Sequence, residues 1–162
     1  MTTKDLLRQN IEFAHRVLRG YLDDFSDADL VARSSPAANH AAWQLGHLIA
    51  SNRRMLVGLG QTAPELPAGF ETAHTRETAG VNDPIRFLKK AEYLALMDQM
   101  KAASLAAIEA TPEAALDAPA PDAVRARIPT VGALLLLIGS HWLVHAGQFT
   151  AIRRKLGKPV LF

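Results

Sequence analysis

Ser140-His141-Trp142-Leu143-Val144-His145-Ala146-Gly147-Gln148 follows an apolar run from Val131 to Ile138 and leads into Ile152-Arg153-Arg154-Lys155. The whole stretch reads as one helix. Thr130 caps it, and Gly157 followed by Pro159 stops it. A helix so apolar nearly all round belongs at the centre of a bundle. A membrane span is the competing reading. His141, His145, Gln148, Ser140 and the glycines speak against it, because a span needs about 20 residues with few polar groups. The spacing of four puts His141 and His145 on one face, one turn apart, and Gln148 continues that face.

Composition sets the frame. The chain has 162 residues, enough for the single domain expected over residues 1–162, and 49% of them are hydrophobic. Aromatics are few, and Leu and Ala dominate, which favours helices packed on helices over a sheet. Basic residues number 18 against 16 acidic ones, so no strongly basic surface is expected. The clusters Arg53-Arg54, Lys89-Lys90 and Arg153-Arg154-Lys155 are short, and they suit helix faces and helix C-termini better than nucleic acid. There is no cysteine, so a metal would have to use His, carboxylate, amide or water. The polar N-terminus, with Asp5 early, does not read as a signal peptide, and a cytoplasmic location is the default expectation. Neither nucleic acid nor a membrane is expected as a partner.

Upstream of the deciding stretch the periodicity gives three more long helices. The first runs from Thr3 to Leu22 with Leu7, Ile11, Ala14, Leu18 and Tyr21 or Leu22 on its apolar face, and Thr2 or Thr3 as cap. His15 reads as a partly exposed residue beside that face. Ser26-Asp27-Ala28-Asp29-Leu30 begins like a capped short turn. Asn39 is the expected cap of a second long helix from His40 to about Leu59, carrying Ala41, Ala42, Leu45, Leu48, Ile49, Asn52, Met55, Leu56 and Leu59 inward. His40, Trp43, His47 and Arg54 fall on a neighbouring strip. Residues 61–82, rich in Pro, Gly and Thr, form an unusually long connection of the kind that serves as a lid or binding loop. His74 within it reads as a mobile surface histidine. Asp83-Pro84 should open a third long helix ending near Ala110, with Leu88, Leu94 or Ala95, Met97 or Asp98, Lys101, Leu105 and Ile108 as an interrupted stripe. A Pro-rich crossing, 118–129, leads to the last helix. The expected fold is all-α, a four-helix bundle with long crossover connections.

His47 lies mid-helix near the core, and it is the natural third partner for His141 and His145. Three imidazoles on one side of an ion leave positions open for water or substrate, as catalytic sites do. On spacing alone, core histidines satisfied by hydrogen bonds explain the pair as well.

Two segments carry a resemblance. Asn39-His40-Ala41-Ala42-Trp43-Gln44-Leu45-Gly46-His47-Leu48 resembles the second-helix signature of the DinB-like superfamily, in which a Trp, a small residue and a His follow a capping Asn. His145-Ala146-Gly147-Gln148, then Leu156-Gly157-Lys158-Pro159, is similar to that family's HxGQ motif and closing turn. The resemblance implies a four-helix bundle, a homodimer and a three-histidine site for a divalent metal, carried over onto His47, His141 and His145. Family members include bacillithiol S-transferases, the mycothiol-dependent maleylpyruvate isomerase and the metal-binding domain of ergothioneine-forming sulfoxide synthases. The activity implied is therefore thiol transfer, with Zn, Ni or Fe favouring the thiolate of a low-molecular-weight thiol that attacks a small-molecule substrate. Metal-dependent hydrolysis at the same site, and a non-enzymatic interaction module, are the competing functions. Gln148, Trp43, Ser51 and His40 are expected around the site, and Arg125 and Arg127 at its mouth as anion holders.

Overall fold

The structure is a computed structural model and describes residues 1–161. Among them, four long helices form the bundle: α1 (Thr3–Leu22), α3 (Ala41–Gly58), α5 (Lys90–Ala110) and α7 (Val131–Lys155). Three single-turn helices sit in the connections: α2 (Asp27–Leu30), α4 (Phe70–Ala73) and α6 (Asp122–Arg125). The end helices begin where a side chain accepts a free amide of the first turn. Thr2 accepts from Asp5 N while the Asp5 carboxylate accepts from Thr2 N, and Thr130 accepts from Ala133 N. Past the end of α7, Gly157 turns the chain away with a left-handed φ of 70° that a residue with a Cβ rarely takes.

α1 packs on α7 and α5, and α3 packs on the same two, so α1 and α3 lie across a diagonal. Side-chain bonds give the directions. Lys4 reaches the Glu109 carbonyl and His15 reaches Asp98, so α1 and α5 are antiparallel. Asn10 donates to the Leu136 carbonyl and Arg153 to that of Tyr21, so α1 and α7 run the same way. α3 and α5 are also parallel neighbours. An 18-residue helix is about 27 Å long, so the chain must travel back along the bundle before α5 can start beside α3. The long segment 59–89 is that return path.

The α1 stripe is buried as the periodicity requires. α7 is long and apolar enough to cross a membrane by length and composition. In the bundle its Leu135, Ile138, Trp142, Phe149 and Ile152 are buried in the common core.

The structure corrects the sequence reading in several places. α3 is capped by His40 rather than Asn39, because His40 Nδ1 accepts from Trp43 N. The segment 61–82 is not bare loop: it holds α4 and a 3₁₀ turn at Arg76–Thr78. Asp83-Pro84 opens only the 3₁₀ turn Pro84–Arg86. Phe87 then becomes extended, and α5 starts at Lys90, where Glu92 accepts from Lys89 N. The buried face of α5 is Tyr93, Leu96, Met97, Met100, Ser104, Ala107 and Ile108; Met97 and Ile108 are on it as expected, while Leu94 and Leu105 pack half-buried at its edge and Lys101 is no part of the apolar core. Two polar groups hid that stripe. Ser104 is buried because its hydroxyl donates to the Met100 carbonyl and accepts from Asn52 Nδ2 of α3, and Tyr93 because its hydroxyl meets His74. His15 is likewise buried, against Asp98.

Candidate metal centre

His47 projects from α3 toward His141 and His145 of α7. One ring nitrogen from each of the three lies within 4.8 Å of the others. The rings meet edge to face or tilted, with centroids 4.9 to 5.3 Å apart. Trp43, one turn before His47, stacks on its ring at 5.2 Å and 7°. The Trp43 indole is fixed in turn by donating to the Thr75 carbonyl at 2.9 Å.

Gln44 sets the state of His145. Its Nε2 donates to the Asn39 carbonyl at 2.7 Å, which leaves Oε1 as the atom facing His145 Nδ1 at 2.9 Å. An amide oxygen only accepts, so Nδ1 carries the proton and Nε2 keeps its lone pair. This is how a histidine ligand is usually oriented, by a hydrogen bond from the nitrogen that does not bind the metal. His47 and His141 have no hydrogen-bond partner among the described residues, unlike core histidines. Trp142 Nε1 is the only fully buried side-chain N or O without one among those residues, so the free imidazole nitrogens are not sealed into the core.

The electrostatics favour neutral rings. Burial first, then the neighbouring His141 and His47, push His145 down to about 3. Burial, His47 and Arg54 push His141 down to about 4, and burial with Arg54 lowers His47. All three are unprotonated at neutral pH, as ligands must be. Three neutral imidazoles without a carboxylate among them fit a divalent transition ion or zinc.

Two cavities meet at this cluster, and both are lined by His47 and Arg54. One, of about 420 Å³, also has His141 and Ser51 in its wall and continues between Met55, Val124, Ile128, Leu134 and Leu137. The other, of about 630 Å³, is lined by Asn39, Trp43, Glu71, His74, Thr75, Arg76 and Ala79.

Not every expected residue is here. Trp43 and Ser51 line the cavities. Gln148 is exposed on α7 and lines neither cavity. His40 faces away: its Nε2 donates to the Val81 carbonyl and its ring meets the edge of Phe87. The Arg125 guanidinium is taken by Asp122 and the Ala120 carbonyl, and Arg127 is exposed outside both cavity walls. The arginine at the site is Arg54. His47, Ser51 and Arg54 stand at i, i+4 and i+7, a spacing that could have found it. His74, expected as a surface residue, is 5% exposed, with Nδ1 at the Phe70 carbonyl and Nε2 at the Tyr93 hydroxyl, both at 2.7 Å. It lies over Gly46, where a Cβ would fall 2.0 Å from the ring.

A family model described as the DinB superfamily matches residues 10–149. The chain belongs to the DinB superfamily. The same fold is seen in the crystal structure of a conserved protein from Enterococcus faecalis, 18% identical, which superposes with a TM-score of 0.76 over 98% of this chain and 99% of that one. No curated protein matches the sequence significantly.

Proposed function

We propose that this DinB-superfamily protein is a metal-dependent enzyme, and that it transfers a small thiol to an electrophile. The observation that carries this reading is the convergence of three neutral imidazole nitrogens, one of them oriented by Gln44, where two cavities meet. His47, His141 and His145 would hold the ion. A divalent metal bound by them supplies Lewis acidity, lowering the pKa of a thiol at an open position.

The chain's own residues do the rest. Gln44 keeps His145 Nε2 unprotonated, and Trp43 holds the plane of His47. Arg54 reaches both cavities and adds positive charge that favours an anionic reactant. Two cavities joined at one cluster suit a reaction of two substrates, since each can be bound and oriented separately before they meet. The thiol belongs in the more polar cavity with Asn39, Thr75 and Arg76, and the electrophile in the apolar one. A homodimer is part of the same reading. Leu136 and Val144, 47% and 60% exposed on α7, offer apolar surface for it.

Hydrolysis is the second reading, and Glu71 is what favours it. It is the one acid among the described residues lining the two cavities, and so the available general base. One screen separates the two. Metal-loaded protein is given aryl halide, epoxide and ester substrates, with and without a panel of small thiols. Thiol-dependent loss of electrophile supports transfer. Turnover of esters without thiol supports hydrolysis and overturns it.

A further inference from the structure

The apolar cavity has a composition that the proposed chemistry does not by itself require. Apart from the histidines, Ser51 and Arg54, its wall is apolar, with Met55, Val124, Ile128, Leu134 and Leu137 and with Pro121 beside Gly58. Leu134 is 1% exposed yet stands apart from the main hydrophobic core, so its side chain belongs to this chamber. Among the described residues, no acidic side chain lines the chamber. The nearby Asp122 is paired with Arg125.

Arg54 is the only formal charge in that wall among the described residues. Its guanidinium bends back one turn of α3 and donates to Ser51 Oγ at 3.0 Å, toward the His47 end of the chamber. No carboxylate pairs with it among the described residues, whereas its neighbour Arg53 faces Glu65. The chamber therefore joins an apolar pouch to an unneutralised cation at its histidine end. A volume of about 420 Å³ falls within the range of roughly 300–1,000 Å³ usual for small-molecule sites.

We propose that this chamber binds a small amphipathic anion of the carboxylate class, its apolar arm between Leu134, Leu137, Val124 and Ile128 and its anionic group on Arg54 and Ser51. Arg54 is then the residue that selects charged over neutral substrates. The assignment of this ligand as a substrate rests on the enzymatic reading above. The binding itself needs only residues of this chain.

Calorimetric titration tests it. Straight-chain carboxylates from propanoate to octanoate, and the alcohols of equal length, are titrated into metal-stripped and zinc-loaded protein. Each added methylene should tighten carboxylate binding about fourfold until the pouch is filled. Arg54→Met should weaken octanoate about tenfold or more and leave octanol unchanged, since a charge-assisted bond is lost. Val124→Trp, on the short surface helix α6, should fill the pouch and abolish the dependence on chain length. Carboxylates binding no tighter than alcohols, affinity flat with chain length, or an Arg54→Met protein that binds octanoate normally would each overturn the proposal. The stripped protein reports on this chamber alone. Its zinc content after loading reports on the histidines, so one reading can fail without the other.

Discussion

Gln44 Oε1 lies 2.9 Å from His145 Nδ1, a contact between residues 101 positions apart that joins α3 to α7 at the candidate metal centre. Both groups are buried, and the amide is pinned from behind by the Asn39 carbonyl. Gln44→Leu removes the acceptor at nearly the same volume. Zinc affinity, measured by competition with a chromophoric chelator, should fall about 10- to 100-fold while the helix content stays. Unchanged affinity would mean that His145 is not oriented by this bond.

Gly46 is predicted to be intolerant of even a methyl group. Ala in a helix interior normally gains up to about 1 kcal/mol over Gly. Here the new Cβ would fall 2.0 to 2.2 Å from the His74 ring, which is held at both nitrogens. Gly46→Ala should instead lose about 1–3 kcal/mol in chemical denaturation, as overpacked sites do. It should also speed proteolysis within 61–89, because His74 anchors that segment.

Acid should destabilise the fold. Burial is the first cause that lowers every histidine of the chain: His15, His40, His47, His74, His141 and His145. His40 goes down to about 4. Between that value and about 6.5 the unfolded chain holds a proton that the fold refuses. The stability is therefore present above about pH 6.5 and is lost as pH falls toward 4. One such group contributes a slope of about 1.4 kcal/mol per pH unit in that window. The metal-free protein should show a Tm that drops below pH 6.5. His40→Asn, which keeps a capping acceptor for Trp43 N, should make the drop shallower by the share of one such group, the other five histidines still contributing. A Tm level from pH 7 to 5 would contradict this.

Arg153 closes the other end of the bundle. It is 1% exposed and donates to the Asp24 carboxylate and to the carbonyls of Tyr21 and Pro159. The bond from Arg153 is the first cause that holds the Asp24 carboxyl below its usual value. Arg153→Met should cost about 3 kcal/mol, the low end for breaking a buried pair, since Asp24 is partly exposed. Urea unfolding measures it.

The sequence made the end helices legible because their apolar residues repeat at helical spacing and their caps are ordinary Thr and Gly. It also made the three histidines legible, two by a spacing of four and the third by its place in a motif. Gln44 was not legible. Its role depends on α3 facing α7, and the amide chosen from the sequence, Gln148, lies on a surface that the packing leaves exposed. His74 was missed for a related reason. A segment rich in Pro and Gly reads as loop, and only the parallel arrangement of α3 and α5 forces it back along the bundle into contact with Gly46. The face of α5 was misread because Ser104 and Tyr93 are buried as partners of polar groups on other elements.

The most direct test of the account is the metal content of untagged protein, measured by inductively coupled plasma mass spectrometry after purification without added metal or chelator and again after incubation with zinc or nickel. The account predicts close to one ion per chain, lost in His47→Ala and in His145→Ala. A protein that takes up no metal, or a His47→Ala variant that keeps its full complement, would contradict it.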